Sequence, residues 1–270
     1  MSKKQKILLA GAAFFAALFF FSGGMYLRQY ADGKQSAEVF ENIAGLVVQP
    51  EATPVPDGSD DGDSTEEVPQ GMSAFEKYAA VHEQNSDFVG WISIEDTAIN
   101  YPVMQTIDRP NFYLKHGFDG QYSDYGVPYI QENCALGVSD NIVIYGHHMA
   151  NGSMFSDLCK YTDKSFYDNH PVIHFDTLSG YGEYEVVAVF KTAVYTEGGF
   201  KYYHFTQAEN EEEFDAFISE CKAASLYDTG VTAEYGDRLL TLSTCEYSQQ
   251  NGRMVIVARK NDAPAVETNA

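Results

Sequence analysis

A cysteine and an arginine at the two facing ends of a predicted hairpin offer the clearest chemistry in this chain. Leu239-Leu240-Thr241-Leu242-Ser243-Thr244-Cys245 is dominated by apolar and β-branched residues, which predicts a strand. Met254-Val255-Ile256-Val257-Ala258 predicts another, and Asn251-Gly252 is a turn signal between them. Such a hairpin sets Cys245 where one strand leaves the sheet and Arg253 where the next one enters. A guanidinium beside a thiol favours the thiolate and can donate hydrogen bonds to a developing oxyanion. The competing reading is a buried, inert cysteine and a surface arginine, because free cysteines commonly behave as small hydrophobes.

A base for such a thiol stands about a hundred residues earlier. Ile142-Val143-Ile144-Tyr145 predicts a buried strand, Gly146 permits a sharp exit, and His147 and His148 follow. A histidine just past a buried strand is well placed for proton transfer, although taken alone it is as readily structural. Zinc is not expected at this pair, since adjacent residues rarely share a metal and no HExxH or CxxC spacing occurs. No cofactor is expected either.

Further strands and helices must hold these groups in place. Ser73-Ala74-Phe75-Glu76 reads as a capping box opening a helix to about Glu83. Strands are predicted over Phe88–Ile94, Ala98–Met104, Pro171–Phe175 and Tyr184–Lys191, with shorter candidates at Phe112–Phe118 and Gly126–Ile130. Asn210, with Glu213 three residues on, opens a helix reaching about Tyr227. Phe214, Phe217, Ile218 and Cys221 give that helix one apolar face, so Cys221 reads as core. Strands dominate and helices decorate.

Composition narrows the function. A net charge of −22, with 17 Lys and Arg against 39 Asp and Glu, argues against nucleic acid as a partner. Cys134, Cys159, Cys221 and Cys245 are the four cysteines, and their sparse spacing suggests thiols, with a disulfide among the first three left open. The chain begins with Lys3, Lys4 and Lys6 ahead of an uncharged apolar run from Ile7 to Leu27. About 20 such residues suffice to span a bilayer, and the flanking charges predict a cytoplasmic amino end with the rest outside. A cleaved signal peptide is the alternative, given Ser22-Gly23-Gly24.

Residues 49 to 70 interleave Pro50, Pro54, Pro56 and Pro69 with a run of Asp and Glu, which predicts a flexible tether. The acidic run lacks the full EF-hand spacing for calcium. The expected organisation is a cytoplasmic tip and anchor over 1–28, a membrane-proximal segment and tether over 29–72, a catalytic domain over 73–262 and a tail over 263–270. Residues 1 to about 70 are expected to add nothing to the barrel core and to be dispensable for chemistry in solution.

Thr241-Leu242-Ser243-Thr244-Cys245 with Arg253 downstream and Tyr145-Gly146-His147 upstream resembles the sortases, membrane-anchored cysteine transpeptidases of Gram-positive bacteria. Asp87-Phe88-Val89-Gly90-Trp91-Ile92, Ile99-Asn100-Tyr101-Pro102-Val103 and Gly152-Ser153-Met154-Phe155 look like the class B subgroup, as does the helix opened by Asn210. The resemblance runs from about Phe75 to Lys260. It implies a closed eight-stranded β-barrel with peripheral helices, including an N-terminal helix and an extra helix before the cysteine strand. It assigns the nucleophile to Cys245, the acid/base to His147 and the oxyanion or positioning group to Arg253, with His148 set aside. Ser243, Thr244 and Tyr247, which surround the cysteine, become candidates for contacting substrate. Some members carry an acid two residues after the cysteine. Here Tyr247 holds that place and Glu246 is the acid, so no Cys-His-acid triad is assigned.

The activity implied is cleavage of a C-terminal sorting motif of surface proteins after Thr, followed by transfer to an amine of the peptidoglycan precursor. The setting implied is the cell membrane, with the catalytic domain extracellular. A surface thiol peptidase that hydrolyses the acyl-enzyme, a pilus-assembling relative and a non-enzymatic binding barrel are the other readings.

Overall fold

The computed structural model describes residues 2–48, 72–196 and 199–261. Eight strands close on themselves in the order β1-β2-β3-β4-β7-β8-β6-β5. They are β1 (Phe88–Ser93), β2 (Asn100–Met104), β3 (Tyr129–Ile130), β4 (Asn141–Tyr145), β5 (Val172–Thr177), β6 (Glu183–Ala193), β7 (Leu239–Cys245) and β8 (Gly252–Lys260). Four helices, α1 (Lys3–Ala44), α2 (Ala74–Gln84), α3 (Lys164–Asn169) and α4 (Glu211–Ala224), lie outside the barrel.

The continuous apolar runs of β7 and β8 follow from their place in the wall. β7 pairs with β4 in parallel on one side and with β8 antiparallel on the other, while β8 also pairs with β6. α4 packs against the neighbouring β6, and successive residues along β7 and β8 are buried, so side chains on both faces of the strands are removed from water. Leu240, Thr241 and Leu242 are all fully buried. Strands covered on both faces read as apolar runs and not as alternating ones.

The predicted caps are present. The Asn210 side chain accepts from Glu213 N–H at the start of α4, whose first turn carries Glu211, Glu212 and Glu213. Acidic residues there suit the positive end of the helix dipole. Phe214, Phe217, Ile218 and Cys221 are its buried residues, and the helix ends at Ala224, short of Tyr227. At α2, Ser73 and Glu76 cap each other reciprocally. α2 is tied to β5 by Asp176, which accepts from the Tyr78 hydroxyl at 2.7 Å and from Lys77 at 3.1 Å.

Two expectations change. The Phe112–Phe118 segment forms a single 3-10 turn, Phe112–Leu114, in place of a strand. Phe112 and His116 stack with ring centroids 3.9 Å apart, a contact between residues four apart that a turn makes and a strand cannot. The short helix α3, capped by the Asp163 side chain, had no forecast. The four cysteines are free thiols, as their sparse spacing suggests, and the disulfide left open among the first three is absent.

The second change concerns the amino-terminal region, which does contribute to the core. α1 is one helix of 42 residues, long and apolar enough to cross a membrane by length and composition. Its first part projects exposed Leu8, Phe15, Phe19 and Phe21, while its last turns dock on the barrel. Ile43 is 5% exposed and packs in a cluster with Tyr78, Val81, Phe88, Trp91 and Met104, flanked by Val39, Phe40, Leu46 and Val47. Asp32 accepts a hydrogen bond from Asp124 N–H at 2.7 Å, and Val48 N–H donates to the Lys77 carbonyl at 3.1 Å. The helix comes so near that a Cβ on Gly33 would fall 2.3 Å from the Tyr125 hydroxyl. The acidic, proline-rich stretch expected as a tether and the C-terminal tail lie outside the described residues.

Candidate active site

Strand register brings the candidate residues to one end of the barrel. β4 and β7 run parallel, with Tyr145 abreast of Ser243. His147 lies two residues beyond Tyr145, and Cys245 two beyond Ser243, so the chains carrying them leave the sheet side by side. Gly146 is needed at this exit because the fully buried Phe155 ring lies against it. A Cβ there would meet ring carbon at 2.5 Å.

Cys245 and Arg253 are direct partners across β7 and β8. The neighbouring pair carries the backbone bond, since Glu246 N–H donates to the Gly252 carbonyl at 3.0 Å. Cys245 and Arg253 therefore occupy the alternate, non-hydrogen-bonded position, where Cα atoms approach to about 4.5 Å and side chains are closest. Asn251, at φ 55°, supplies the left-handed residue that the turn before Arg253 requires. Among the described residues, Arg253 makes one side-chain hydrogen bond, to the adjacent Gly252 carbonyl at 2.9 Å. Its remaining donors can turn to a bound anion.

Three tyrosines surround the pair and feel both of its charges. Burial raises the Tyr129 and Tyr247 hydroxyls above the ordinary phenol range and pushes Tyr202 up to about 12. In each, the Arg253 charge lowers the value and a Cys245 thiolate raises it. These phenols stay protonated and can donate at neutral pH.

His147 has its ring fixed by backbone. Its Nε2 lies 2.7 Å from the Leu114 carbonyl. A carbonyl only accepts, so Nε2 carries the proton and Nδ1 keeps the lone pair of the neutral ring. Burial pulls the His147 pKa below its ordinary value; the Leu114 bond opposes this, Lys115 lowers it further and Asp124 raises it. The acid beside the cysteine is engaged elsewhere. Glu246 accepts from Lys191 at 3.1 Å and from the Ser248 hydroxyl at 2.6 Å. Burial alone would raise its pKa, but these bonds outweigh it and hold the carboxyl below its usual range.

The residues around the cysteine divide. Ser243 and Thr244 are 1% and 2% exposed. The Ser243 hydroxyl bonds to the Tyr202 hydroxyl at 2.6 Å, and Thr244 donates to the Gly146 carbonyl at 2.8 Å. Both are bonded inside the wall, whereas Tyr247 is 72% exposed. Sequence reasoning missed the Leu114 carbonyl, since a backbone acceptor leaves no mark in residue identity. It also missed Cys159, which lies 3.8 Å from the Cys245 carbonyl, and it set aside His148, which bonds to that same carbonyl. The adjacency of His148 to His147 was the available signal. Among the described residues, no three metal-binding side chains cluster.

This arrangement gathers a thiol, an imidazole with a free nitrogen and a guanidinium at one barrel end. The Sortase domain family matches residues 92–261. Sortase B of Listeria monocytogenes serovar 1/2a is 37% identical over 176 residues, covering 64% of this chain and 69% of the relative. A crystal structure of sortase B from B. anthracis in complex with AAEK1 superposes with a TM-score of 0.70 at 27% identity, covering 87% of this chain and all of that one. A Staphylococcus aureus sortase B–substrate complex does so with a TM-score of 0.65 at 31% identity, over 72% of this chain and 88% of that one. The chain belongs to the sortase family, is a class B sortase by these relationships, and is a cysteine transpeptidase.

Proposed function

We propose that the protein is anchored in the membrane through α1 and cleaves a sorting motif near the C-terminus of surface proteins after Thr. It then transfers the acyl group to an amine of the peptidoglycan precursor. The observation that carries this reading is the register that sets Cys245 opposite Arg253, together with the parallel pairing of β4 and β7 that brings His147 to the same end of the barrel.

The chemistry follows from that register. The Cys245 thiol gives its proton to Nδ1 of His147, and the resulting thiolate attacks the Thr carbonyl carbon to form a C–S bond. The carbonyl oxygen becomes an oxyanion facing the Arg253 guanidinium, whose fork of donors suits it. As the C–N bond breaks, Nδ1 of His147 protonates the departing amine, leaving a thioester on Cys245. An incoming amine then gives up a proton to His147, attacks the thioester and releases the thiolate. Nδ1 is the exchanging nitrogen because Nε2 is bonded to Leu114. The Lys3, Lys4 and Lys6 cluster supports an amino end inside and a barrel outside. The exposed apolar side of α1 supports insertion as an anchor.

The test is to incubate the protein with a library of sorting pentapeptides, with and without a primary amine such as a glycyl peptide. A thioester adduct on Cys245 and amide product that grows with the amine are expected. Acid product unaffected by amine would favour a peptidase instead. Absence of any adduct across the library would overturn the acyl-transfer reading.

A further inference from the structure

Pairing between β4 and β7 ends at Tyr145 and Ser243, yet the chains stay together through His147 and Cys245. Bonds outside the regular ladder hold them. Ahead of the two residues, Gly146 N–H donates to the Ser243 carbonyl at 3.1 Å and the Thr244 hydroxyl donates to the Gly146 carbonyl at 2.8 Å. Beyond them, His148 Nδ1 lies 3.0 Å from the Cys245 carbonyl, and the Tyr247 hydroxyl donates to the His148 carbonyl at 3.2 Å. The His148 and Tyr247 rings lie 5.1 Å apart. His147 and Cys245 are thus bracketed by cross-links on both sides.

We propose that His148 and Tyr247 are positioning residues, forming a clasp that fixes the backbones of His147 and Cys245 next to each other for proton transfer. The proposal rests on the acyl-transfer reading of those two residues and adds the group that aligns them.

The two adjacent histidines use opposite nitrogens. His147 is held through Nε2, which leaves Nδ1 free. His148 must carry its proton on Nδ1, because the Cys245 carbonyl can only accept. Cys159 Sγ lies 3.4 Å from that same nitrogen and 3.8 Å from the carbonyl. With Nδ1–H committed to the carbonyl, the Cys159 thiol is left to donate to the same oxygen. Burial pushes its pKa up to about 11, so it keeps the proton needed.

Nδ1 of histidine and Nδ2 of asparagine are both bonded to Cγ, so an asparagine at this position can present a donor at nearly the same point. That provides the test. Misplacing reacting groups by about 1 Å can cost roughly 10²-fold. His148→Ala is expected to lower kcat by about 10- to 100-fold with KM little changed, while His148→Asn recovers kcat to within about threefold. Tyr247→Phe, which removes one hydroxyl from an exposed ring, is expected to lower kcat by a smaller factor without loss of Tm. Its fold is safe even where His148→Ala unfolds. Unchanged kcat in both His148→Ala and Tyr247→Phe would overturn the clasp. So would equal impairment of His148→Ala and His148→Asn, because the donor would then not be the cause. The rate of Cys245 alkylation by iodoacetamide, followed by mass spectrometry, needs no peptide. Slower alkylation in His148→Ala, restored in His148→Asn, supports the clasp even if no variant and no wild-type sample cleaves peptide, which would sink the acyl-transfer reading alone.

Discussion

Arg253 stands directly across from Cys245 in a non-hydrogen-bonded pair of β7 and β8. A reaction at the thiol therefore develops its charge within reach of a guanidinium whose position is set by strand pairing. Arg253→Ala is expected to lower kcat/KM by roughly 10²–10³, the scale of losing one oxyanion donor. Arg253→Lys keeps the charge without the fork and should recover part of the loss. Peptide cleavage and thermal unfolding on the same samples decide the matter. Normal activity in Arg253→Ala, or a loss that merely tracks unfolding, would refute the role.

The docked end of α1 makes a stability prediction. Ile43 is buried among Tyr78, Val81 and Trp91, so Ile43→Ala should cost about 2–5 kcal/mol. A protein starting at Ser73 should unfold at lower temperature and bind a hydrophobic dye. One starting at Arg28 should not. Equal Tm for the two forms would contradict the packing role of the helix.

Thiol reactivity separates the four cysteines. Cys221 is fully buried, and burial raises its pKa; burial also pushes Cys134 and Cys159 up to about 11. Thiols titrating there are almost wholly protonated near pH 7.5, and the thiolate is the nucleophile. Native protein treated briefly with iodoacetamide at that pH should be labelled once, at Cys245, and unfolded protein four times. Comparable labelling of Cys159 in the native state would count against this ordering.

His147 couples stability to pH. Its folded-state pKa is lowered by burial from an ordinary value of 6.5. Below pH 6.5 the unfolded chain binds this proton more readily than the folded one, so stability falls as pH falls from 6.5 toward the lowered value. Above 6.5 the group contributes no pH dependence. His147→Gln should flatten that portion of the unfolding free energy profile. Denaturant titrations from pH 5 to 8 measure it, and an unchanged slope in the variant would rule the effect out.

Much of this was readable where local chemistry decides structure. Asn251-Gly252 announced the turn because left-handed backbone is cheap for those residues, and Asn251 takes it. Ser73 with Glu76, and Asn210 with Glu213, named two helix starts because capping is a short-range bond. Contacts remote in sequence were harder. The parallel pairing of β4 with β7 joins residues almost a hundred apart and carries no turn signal; only the order of apolar strands hinted at it. His147 is aligned by the carbonyl of Leu114, which any residue would have supplied. The packing of Ile43 was hidden because an acidic, proline-rich stretch separates it from the barrel in sequence, suggesting independence where there is contact.

Among the described residues, the ring of eight strands gives each strand of the barrel a neighbour on both sides. Proteins that capture extended peptides often do so by letting the peptide join a sheet as one more strand. A closed ring refuses that mode, because its wall already pairs each strand with two neighbours. Recognition must then come from side chains and loops at the barrel mouth. These can differ from one relative to the next without disturbing the wall that aligns the reacting groups.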